Sequence, residues 1–351
     1  MTNSFRAENA AFEDWLRRQC CVVEADLKRK HDRMRTSAFA FLRATFFRWA
    51  RTIEAICPDL KGAPRVLTVG DAHLENYGTW RDAEGRLVWG INDFDEAAVM
   101  PYPFDLVRLA ASAQLAPGMP LGSREVAAAI LDGYANGLAA PRPTLLDEQE
   151  TWMRPYVVCS DKERRHFWKE VDSYPQADPP KKVAEGLEQS LPKGASILRF
   201  ATPSKGGGSL GRPRYVAIAA WRGGHIVREA KALVPSAWDW AHAKGSSKSR
   251  FFDLVDSRYR SPDPFLSVHD SFVFRRIAAD SRKVELGEED RPTVRSDLLM
   301  AMGFDLGAVH AARKERRIEV RKDLEKRPRD WLYIVVRSAT KAVEEDFRAW
   351  V

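Results

Sequence analysis

The sequence predicts an α+β protein, because helical and strand-like hydrophobic patterns both occur along its 351 residues. Between residues 39 and 56, apolar side chains recur at spacings of three and four, as on one face of a helix. Between residues 197 and 231, short apolar runs instead alternate with glycine-rich turns, which is typical of antiparallel strands. The length allows one large domain or two medium domains.

Composition limits the functional classes. Hydrophobic residues make up 44% and charged residues 30%, as in ordinary soluble globular proteins. No apolar run approaches the length of a membrane span, and residues 1–9 lack the apolar core of a signal peptide. The four cysteines form neither a disulfide framework nor a zinc pattern. We therefore expect reduced thiols, a cytoplasmic location and no membrane partner.

The net charge of +7 favours anionic ligands such as nucleotides. It would also give weak affinity for nucleic acid, and charge alone does not choose between the two. Our expected partners are a nucleotide and an acceptor substrate, and nucleic acid is not among them.

A polar loop follows the first predicted strand. The apolar run 66–69 predicts a short buried strand, and the segment GDAHLENYG (70–78) comes directly after it. Asp71, His73 and Asn76 therefore lie just past the strand end. Loops at strand ends are frequent places for catalytic and binding residues.

A hairpin connects this loop to a second one. Residues 77–80 and 86–91 predict two strands joined by a turn at residues 82–85. The hairpin would return the chain so that Asp93 comes near Asn76. Carboxylate and amide oxygens would then converge on one spot, and such hard oxygen donors suit Mg²⁺.

These two loops carry a resemblance. The pattern Asp71-x-His73-x-x-Asn76 followed by Asp93-Phe94 resembles the catalytic and metal-binding loops of protein-kinase-like enzymes. It is most similar to aminoglycoside and choline phosphotransferases, whose loop also has a His two residues after the catalytic Asp. The step of five from Asp71 to Asn76 matches the kinase spacing of base Asp and metal-binding Asn. Downstream, the segment 103–107 resembles one whose second Asp, here Asp105, braces the catalytic loop.

At a finer level the chain resembles an uncharacterised bacterial family of unknown function within that group, over roughly residues 30–310. The features shared with it are a helix with Ser37, Phe39, Phe41 and Arg43, the GDAHLENYG loop, the NDFDE loop and a later glycine-rich segment.

The resemblance implies an ATP- and Mg²⁺-dependent phosphotransferase that acts on a hydroxyl of an unknown small-molecule or protein acceptor. Asp71 would be the catalytic base, with His73 beside it. Asn76 and Asp93 would hold the metal. Asp95 is either a further metal ligand or a solvated carboxylate.

The glycine-rich segment 206–211 lies between two predicted strands. Glycines let backbone N–H groups approach phosphate oxygens, and no helix follows, which excludes a Walker loop and a dinucleotide fingerprint. The residues expected to contact the phosphates are Gly206, Gly208, Ser209 and Gly211. Their cation would be Arg228 or Lys231, which strand alternation places on opposite faces.

The remaining chain predicts further elements and an unusual order. Helices are expected at residues 105–116, 123–139 and from Ser296 onward, with strands at 272–277 and 283–286 and an exposed loop or linker at 174–182. The helix around Leu306 resembles the one that precedes the catalytic loop in the related phosphotransferases. The resemblance therefore implies a circularly permuted, two-lobed protein-kinase-like fold. A helical catalytic lobe (1–190) would precede an antiparallel β lobe (191–290) and closing helices (291–351). His310 is expected to be a packed side chain.

Two other functions stay open. A non-catalytic nucleotide-binding module is favoured by Arg228 at the position where Lys is usual. A metal-dependent phosphohydrolase would use Asp71, His73, Asp93 and Asp95 with water as the attacking group.

Overall fold

The computed structural model describes residues 4–148, 150–157, 159–203, 209–243, 248–283 and 293–351. They form an α+β protein in which every strand pairing is antiparallel. The helices are α1 (Phe5–Gln19), α2 (Glu24–Met34), α3 (Ala38–Ala44), α4 (Phe46–Ile56), α5 (Pro103–Leu115), α6 (Ser123–Ala139), α7 (Arg154–Val157), α8 (Asp161–Ser173), α9 (Lys181–Gln189), α10 (Ala237–Ala241), α11 (Phe251–Val255), α12 (Ser296–His310), α13 (Lys314–Lys326) and α14 (Trp331–Trp350).

The strands form three sheets. A two-stranded sheet pairs β1 with β4, a three-stranded sheet has the order β2-β3-β5, and a five-stranded sheet has the order β6-β7-β8-β10-β9. The strands are β1 (Arg65–Thr68), β2 (Tyr77–Arg81), β3 (Leu87–Ile91), β4 (Ala98–Pro101), β5 (Thr144–Leu145), β6 (Ser196–Ala201), β7 (Arg214–Trp221), β8 (Gly224–Ala232), β9 (Ser267–His269) and β10 (Phe272–Ile277).

The predicted hairpin is confirmed, since β2 and β3 pair from Tyr77↔Ile91 to Arg81↔Leu87. The strand at 272–277 and the helix from Ser296 are confirmed as β10 and α12. Of the predicted strand at 283–286, residues 284–286 lie outside the described residues. Lys283 forms an isolated bridge with Gly78, so this part of the chain runs beside β2.

The prediction of one continuous helix across residues 39–56 is wrong at one point, because the helix breaks at Thr45 into α3 and α4. The Thr45 hydroxyl donates to the carbonyl of Phe41 at 2.7 Å, and Arg108 Nη2 donates to the carbonyl of Leu42 at 2.8 Å. Both carbonyls are thereby drawn into interactions outside the regular helical ladder. The long-range contact from Arg108 is not visible in the apolar pattern.

The segment 141–195, which we expected to contain a linker, includes α7, α8 and α9. Residues 174–180 are not helical, but they lie along the edge of β6: Ala177 N donates to Phe200 O, and Thr202 N donates to Pro175 O. Apolar residues of α8 pack with Val216 and Val227 on one face of the five-stranded sheet. Those of α9 pack on the opposite face.

Helix α12 packs against α6 with the backbones in close contact. A Cβ added at Gly133 would lie 1.9 Å from the carbonyl oxygen of Met300, and one at Gly303 would lie 2.2 Å from that of Ile130. Only glycine permits this approach. The close packing fixes α12 beside β1 and β3, which it contacts.

The expectations from composition concern membrane-spanning helices and the state of the cysteines. Over the described ranges, no helix is long and apolar enough to cross a membrane. The four cysteines are free thiols, as the sequence predicted: Cys20, Cys21, Cys57 and Cys159.

Candidate active site

A single cleft of about 1170 Å³ contains the residues of both polar loops. Its walls come from the loops themselves, from helices α1 to α4 and α8, and from one face of the five-stranded sheet. The candidate residues that line it are Asp71, His73, Asn76, Asp93, Asp95 and Ser209.

Each loop is held at its base by a buried carboxylate from a helix. Asp105 of α5 accepts hydrogen bonds from Val69 N at 2.7 Å and Gly70 N at 3.0 Å. His310 Nε2 lies 3.1 Å from the same carboxylate, so His310 is a packed structural residue, as predicted. Asp305 of α12 accepts a hydrogen bond from Ile91 N at 2.7 Å, just before the second loop.

The side chain of Asn76 joins the two loops. Its Nδ2 donates to the carbonyls of Asp71 and Asp93, both at 3.0 Å. The predicted proximity of Asp93 and Asn76 is thus confirmed. Asn76 Oδ1 is buried and accepts no hydrogen bond within the described part of the chain. This oxygen is available for a ligand in the cleft.

Asp71 is held by Arg108, a buried residue of α5. Arg108 donates from Nε at 2.8 Å and from Nη2 at 2.5 Å, and both bonds end on Asp71 Oδ1. Burial raises the pKa of Asp71 although Arg108 opposes this effect. The other oxygen, Oδ2, lies 3.9 Å from His73 Nε2, which is too far for a hydrogen bond.

The surroundings of His73 disfavour the charged form of its imidazole. Burial, followed by the nearby charges of Arg43 and Arg108, holds the pKa of His73 well below its ordinary value. Its Nδ1 is buried and has no hydrogen-bonding partner among the residues described. His73 therefore lies at the site but does not form a hydrogen-bonded dyad with Asp71.

Asp93 and Asp95 share a cation. Lys231 Nζ lies 2.7 Å from Asp95 Oδ2 and 3.3 Å from Asp93 Oδ2. Burial disfavours the charged form of Asp93, yet Lys231 and Lys283 outweigh it and lower the pKa of Asp93 well below its usual range. Burial and the charge of Asp93 raise the pKa of Asp95. The Oδ1 atom of Asp95 is buried and unpaired in the described structure.

Arg228 does not reach the cleft, which corrects its place among the expected phosphate contacts. Strand alternation in β8 directs Lys231 to the loops and Arg228 to the opposite face. There Arg228 Nε donates to Ser190 O at 3.0 Å, and its guanidinium lies 4.5 Å from the Phe265 ring centroid. Lys231 is therefore the basic residue of β8 in the site.

The glycine-rich segment is described only in part. Gly206 and Gly208 lie outside the described residues. Ser209 lines the cleft, and its hydroxyl accepts a hydrogen bond from Arg214 Nη2 at 3.0 Å. Gly211 is not among the lining residues, because it packs against Leu27 of α2 with a φ of +96°. Its expected contact with phosphates is therefore not supported by this position.

Sequence reasoning missed the buried arginines. Arg212 donates to Asp95 Oδ2 at 3.2 Å and to Glu96 Oε1 at 2.7 Å, and Arg108 anchors Asp71. A usable signal for Arg108 was present, since it lies within the otherwise apolar run of α5. Arg212 offered no such signal because it lies in a polar turn.

The donor set fits a magnesium ion that also binds phosphate. Across the described ranges there is no group of three or more His, Cys, Asp or Glu side chains arranged to hold a metal. Mg²⁺ does not need such a cage, since it is usually bound by one or two carboxylates together with water and substrate phosphates. Asn76 Oδ1, Asp95 Oδ1 and the Asp93 carboxylate supply oxygens of this kind.

The comparisons with known proteins give one match. A family model described as "Uncharacterized protein conserved in bacteria (DUF2252)" matches residues 22–140. The matched range runs from α2 to α6 and includes both polar loops, so the expected similarity to an uncharacterised bacterial family is confirmed there. No curated protein and no solved structure matches the chain.

Proposed function

We propose that this protein is an ATP- and Mg²⁺-dependent phosphotransferase that transfers a phosphoryl group to a hydroxyl of its acceptor. One observation carries the proposal. The Asn76 amide joins the two loops, and its buried oxygen, which has no partner among the described residues, lies in a cleft lined by Asp71 and Asp93, with Lys231 paired to Asp93 behind the lining. A base, two oxygen ligands and a phosphate-binding cation are the parts that such a reaction needs.

Asn76, Asp93 and Asp95 would hold the metal. A metal held by these residues would supply positive charge that offsets the charge developing on the phosphates. Lys231 already neutralises Asp93 and Asp95, and it would exchange part of this contact for the phosphates. Ser209 and the adjoining segment 206–208 would cover the nucleotide phosphates, whereas Arg228 takes no part.

Asp71 would receive the proton of the acceptor hydroxyl. Arg108 occupies Oδ1 with two hydrogen bonds and fixes the orientation of the carboxylate, so Oδ2 is the atom that accepts the proton. A raised pKa makes Asp71 a better base than a solvated aspartate. Most of the rate enhancement would come from positioning and charge neutralisation, which require no covalent intermediate.

We further propose that the fold is a circularly permuted relative of the protein kinases. Helix α12, near the end of the chain, lies against β1 and β3, and its residues Asp305 and His310 support the bases of the two loops. This is the position expected of a helix that would directly precede the catalytic loop in an unpermuted chain. Residues 1–190, 191–290 and 291–351 would then be the helical lobe, the β lobe and the closing helices.

The other two functions have less support. The non-catalytic module depended on Arg228 at the phosphates, and this side chain lies on the other face of β8. The hydrolase depended on a four-residue metal cluster. Over the ranges that the structure describes, no group of three or more His, Cys, Asp or Glu side chains is arranged to hold a metal.

The test uses two variants of neighbouring aspartates. Asp93→Asn removes a charged metal ligand, so we expect calorimetry to show loss of Mg²⁺-dependent ATP binding. Asp71→Asn leaves the ligands intact, so Mg²⁺·ATP should bind almost unchanged while turnover with an active acceptor falls by about 10²-fold or more.

The two variants contradict different parts of the proposal. Unchanged Mg²⁺·ATP affinity in Asp93→Asn would remove the metal-binding role of that loop. If Asp71→Asn turns over as fast as the wild type, Asp71 is not the base. Phosphate release from ATP that needs no acceptor would favour the hydrolase.

A further inference from the structure

The cleft continues beyond Asp71 to a second wall, which we call the basic-aromatic wall. It is formed by α1, α2, α3 and α4, and its defining residues are Phe12, Lys30, Arg43, Phe46 and Phe47. Phe12 and Phe47 stack at a centroid distance of 4.6 Å with an interplanar angle of 9°. The roles assigned to the two loops use none of these side chains.

Lys30 is the unusual residue of this wall. Its residue exposure is 3%, yet it lines the cleft and its ammonium has no hydrogen bond or ion pair in the described part of the protein. Its near neighbours are aromatic faces, with the centroids of Phe12 and Phe47 at 5.8 Å and 5.9 Å from Nζ. Burying an ammonium without a carboxylate partner costs free energy, which a bound anion would offset.

Nearby carboxylates are already engaged elsewhere. Glu13 accepts from Asn9 Nδ2 at 2.9 Å and lies 2.6 Å from His31 Nε2. Glu75 pairs with Arg43 Nη2 at 2.6 Å. The same Arg43 keeps a second donor, because its Nε is buried and has no acceptor among the described residues. The wall thus offers Lys30 Nζ and Arg43 Nε as unmatched donors.

The wall is connected directly to the candidate base. Arg108, which binds Asp71 Oδ1, lies with its guanidinium 5.1 Å from the centroid of Phe46. Phe46 is followed in α4 by Phe47, whose ring faces Lys30. A molecule against this wall would therefore lie beside Asp71, with Lys231 and its carboxylates beyond.

We infer that the basic-aromatic wall is the acceptor subsite, and that the acceptor is a small hydroxyl-bearing carboxylic acid with an apolar or aromatic part. Its hydroxyl would face Asp71, its carboxylate Lys30 and Arg43, and its apolar part Phe12 and Phe47. Two N–H donors match a singly charged carboxylate. A cationic acceptor such as choline would be repelled. This inference rests on the proposed phosphotransferase function.

The test measures binding by calorimetry, without ATP, to the full chain. The probes are 3-phenyllactate, which combines an aromatic ring, a hydroxyl and a carboxylate, its uncharged methyl ester, and choline. We expect 3-phenyllactate to bind at least about tenfold more tightly than its ester, because only the acid places a charge beside Lys30. This comparison needs no variant, so it does not depend on the folding of a mutant.

Two variants locate the site. Lys30→Met should weaken 3-phenyllactate binding by about tenfold to a hundredfold, the usual effect of losing a charge-assisted hydrogen bond. The matched control is Lys341→Met in α14, where an exposed lysine is removed outside the cleft and binding should not change. Equal affinities for acid and ester, tighter binding of choline, or an unchanged affinity in Lys30→Met would each overturn the inference.

The binding results distinguish a failure of the acceptor subsite from a failure of the phosphotransferase proposal. Asp93→Asn should lose Mg²⁺·ATP binding and keep 3-phenyllactate binding. Acid binding without any Mg²⁺·ATP binding in the wild type would retain the anionic subsite and contradict the proposed function. Mg²⁺·ATP binding without acid binding would do the reverse.

Discussion

Arg212 and Lys30 are two buried cations of one cleft, and their surroundings differ. Arg212 is 6% exposed and binds two carboxylates, those of Asp95 and Glu96. Burial opposes its charge, but Glu96 and Asp95 outweigh this effect and raise the pKa of Arg212. Lys30 is 3% exposed, and burial, opposed only in part by the charge of Glu13, lowers the pKa of Lys30 to about 8.

This difference in ion pairing indicates that the charge of Arg212 is structural, whereas folding does not explain the charge of Lys30. Arg212 compensates the carboxylates around it, so the folded protein needs it. Lys30 forms no ion pair within the described residues and is offset only in part by the charge of Glu13, so we expect an apolar side chain at this position to make the free protein more stable. Uncompensated buried groups in a cleft are typical of binding sites, where stability is reduced in favour of function.

The largest expected effect concerns Arg212. Arg212→Met would leave Asp95 and Glu96 buried with one cation fewer, which should lower the free energy of unfolding by about 3–5 kcal/mol. Chemical denaturation measures this change. The control is Arg17→Met, which also removes two ion pairs, with Asp14 and Glu24, but at the surface. The control should cost no more than about 1 kcal/mol. Equal losses in both variants would show that burial does not distinguish these pairs.

The next largest effect concerns Lys231. This cation is paired with carboxylates, as Arg212 is, but we expect it to bind the ligand as well. Lys231→Met removes the ammonium near Asp93 and Asp95 and should weaken Mg²⁺·ATP binding by about tenfold to a hundredfold. Arg228→Met, three positions earlier on the same strand but on the opposite face, should leave the affinity unchanged. Calorimetry on both variants measures the contrast, and a larger loss in Arg228→Met would reverse our assignment.

The smallest effect has the opposite sign. Lys30→Met should raise the free energy of unfolding at pH 7, by on the order of 1–2 kcal/mol, because a desolvated charge disappears. The pKa of Lys30 is lower in the folded protein than in the unfolded chain. The unfolded chain therefore binds more protons above pH 8, and wild-type stability should rise relative to the variant from about pH 8 until the unfolded lysine has titrated.

Denaturation curves at pH 7 and at pH 10 measure both parts of this prediction. A Lys30→Met protein that is less stable than the wild type at pH 7 would mean that Lys30 has a compensating partner. The contrast with Arg212 would then fail.

Local features of the fold could be predicted from the sequence. The β2–β3 hairpin follows from two apolar runs around a polar turn, and α12 follows from apolar residues such as Leu299 and Met302 on one face. The proximity of Asn76 and Asp93 followed from the same hairpin. The break at Thr45 could not be predicted, since it involves a hydrogen bond from Arg108, far along the chain.

The sequence by itself determined which polar groups are candidates for the site: a carboxylate at Asp71, an amide at Asn76 and carboxylates at Asp93 and Asp95, all in loops that short-range patterns predict. The tertiary structure decided which cations serve them. Arg108, Arg212 and Lys231 reach these loops from other elements, and Arg228 is directed away by strand alternation. It also decided that Lys30 lies in the cleft without an ion pair to any residue that the structure describes. Turn and strand preferences act between neighbouring residues, whereas charge compensation in a buried site depends on contacts between distant parts of the chain.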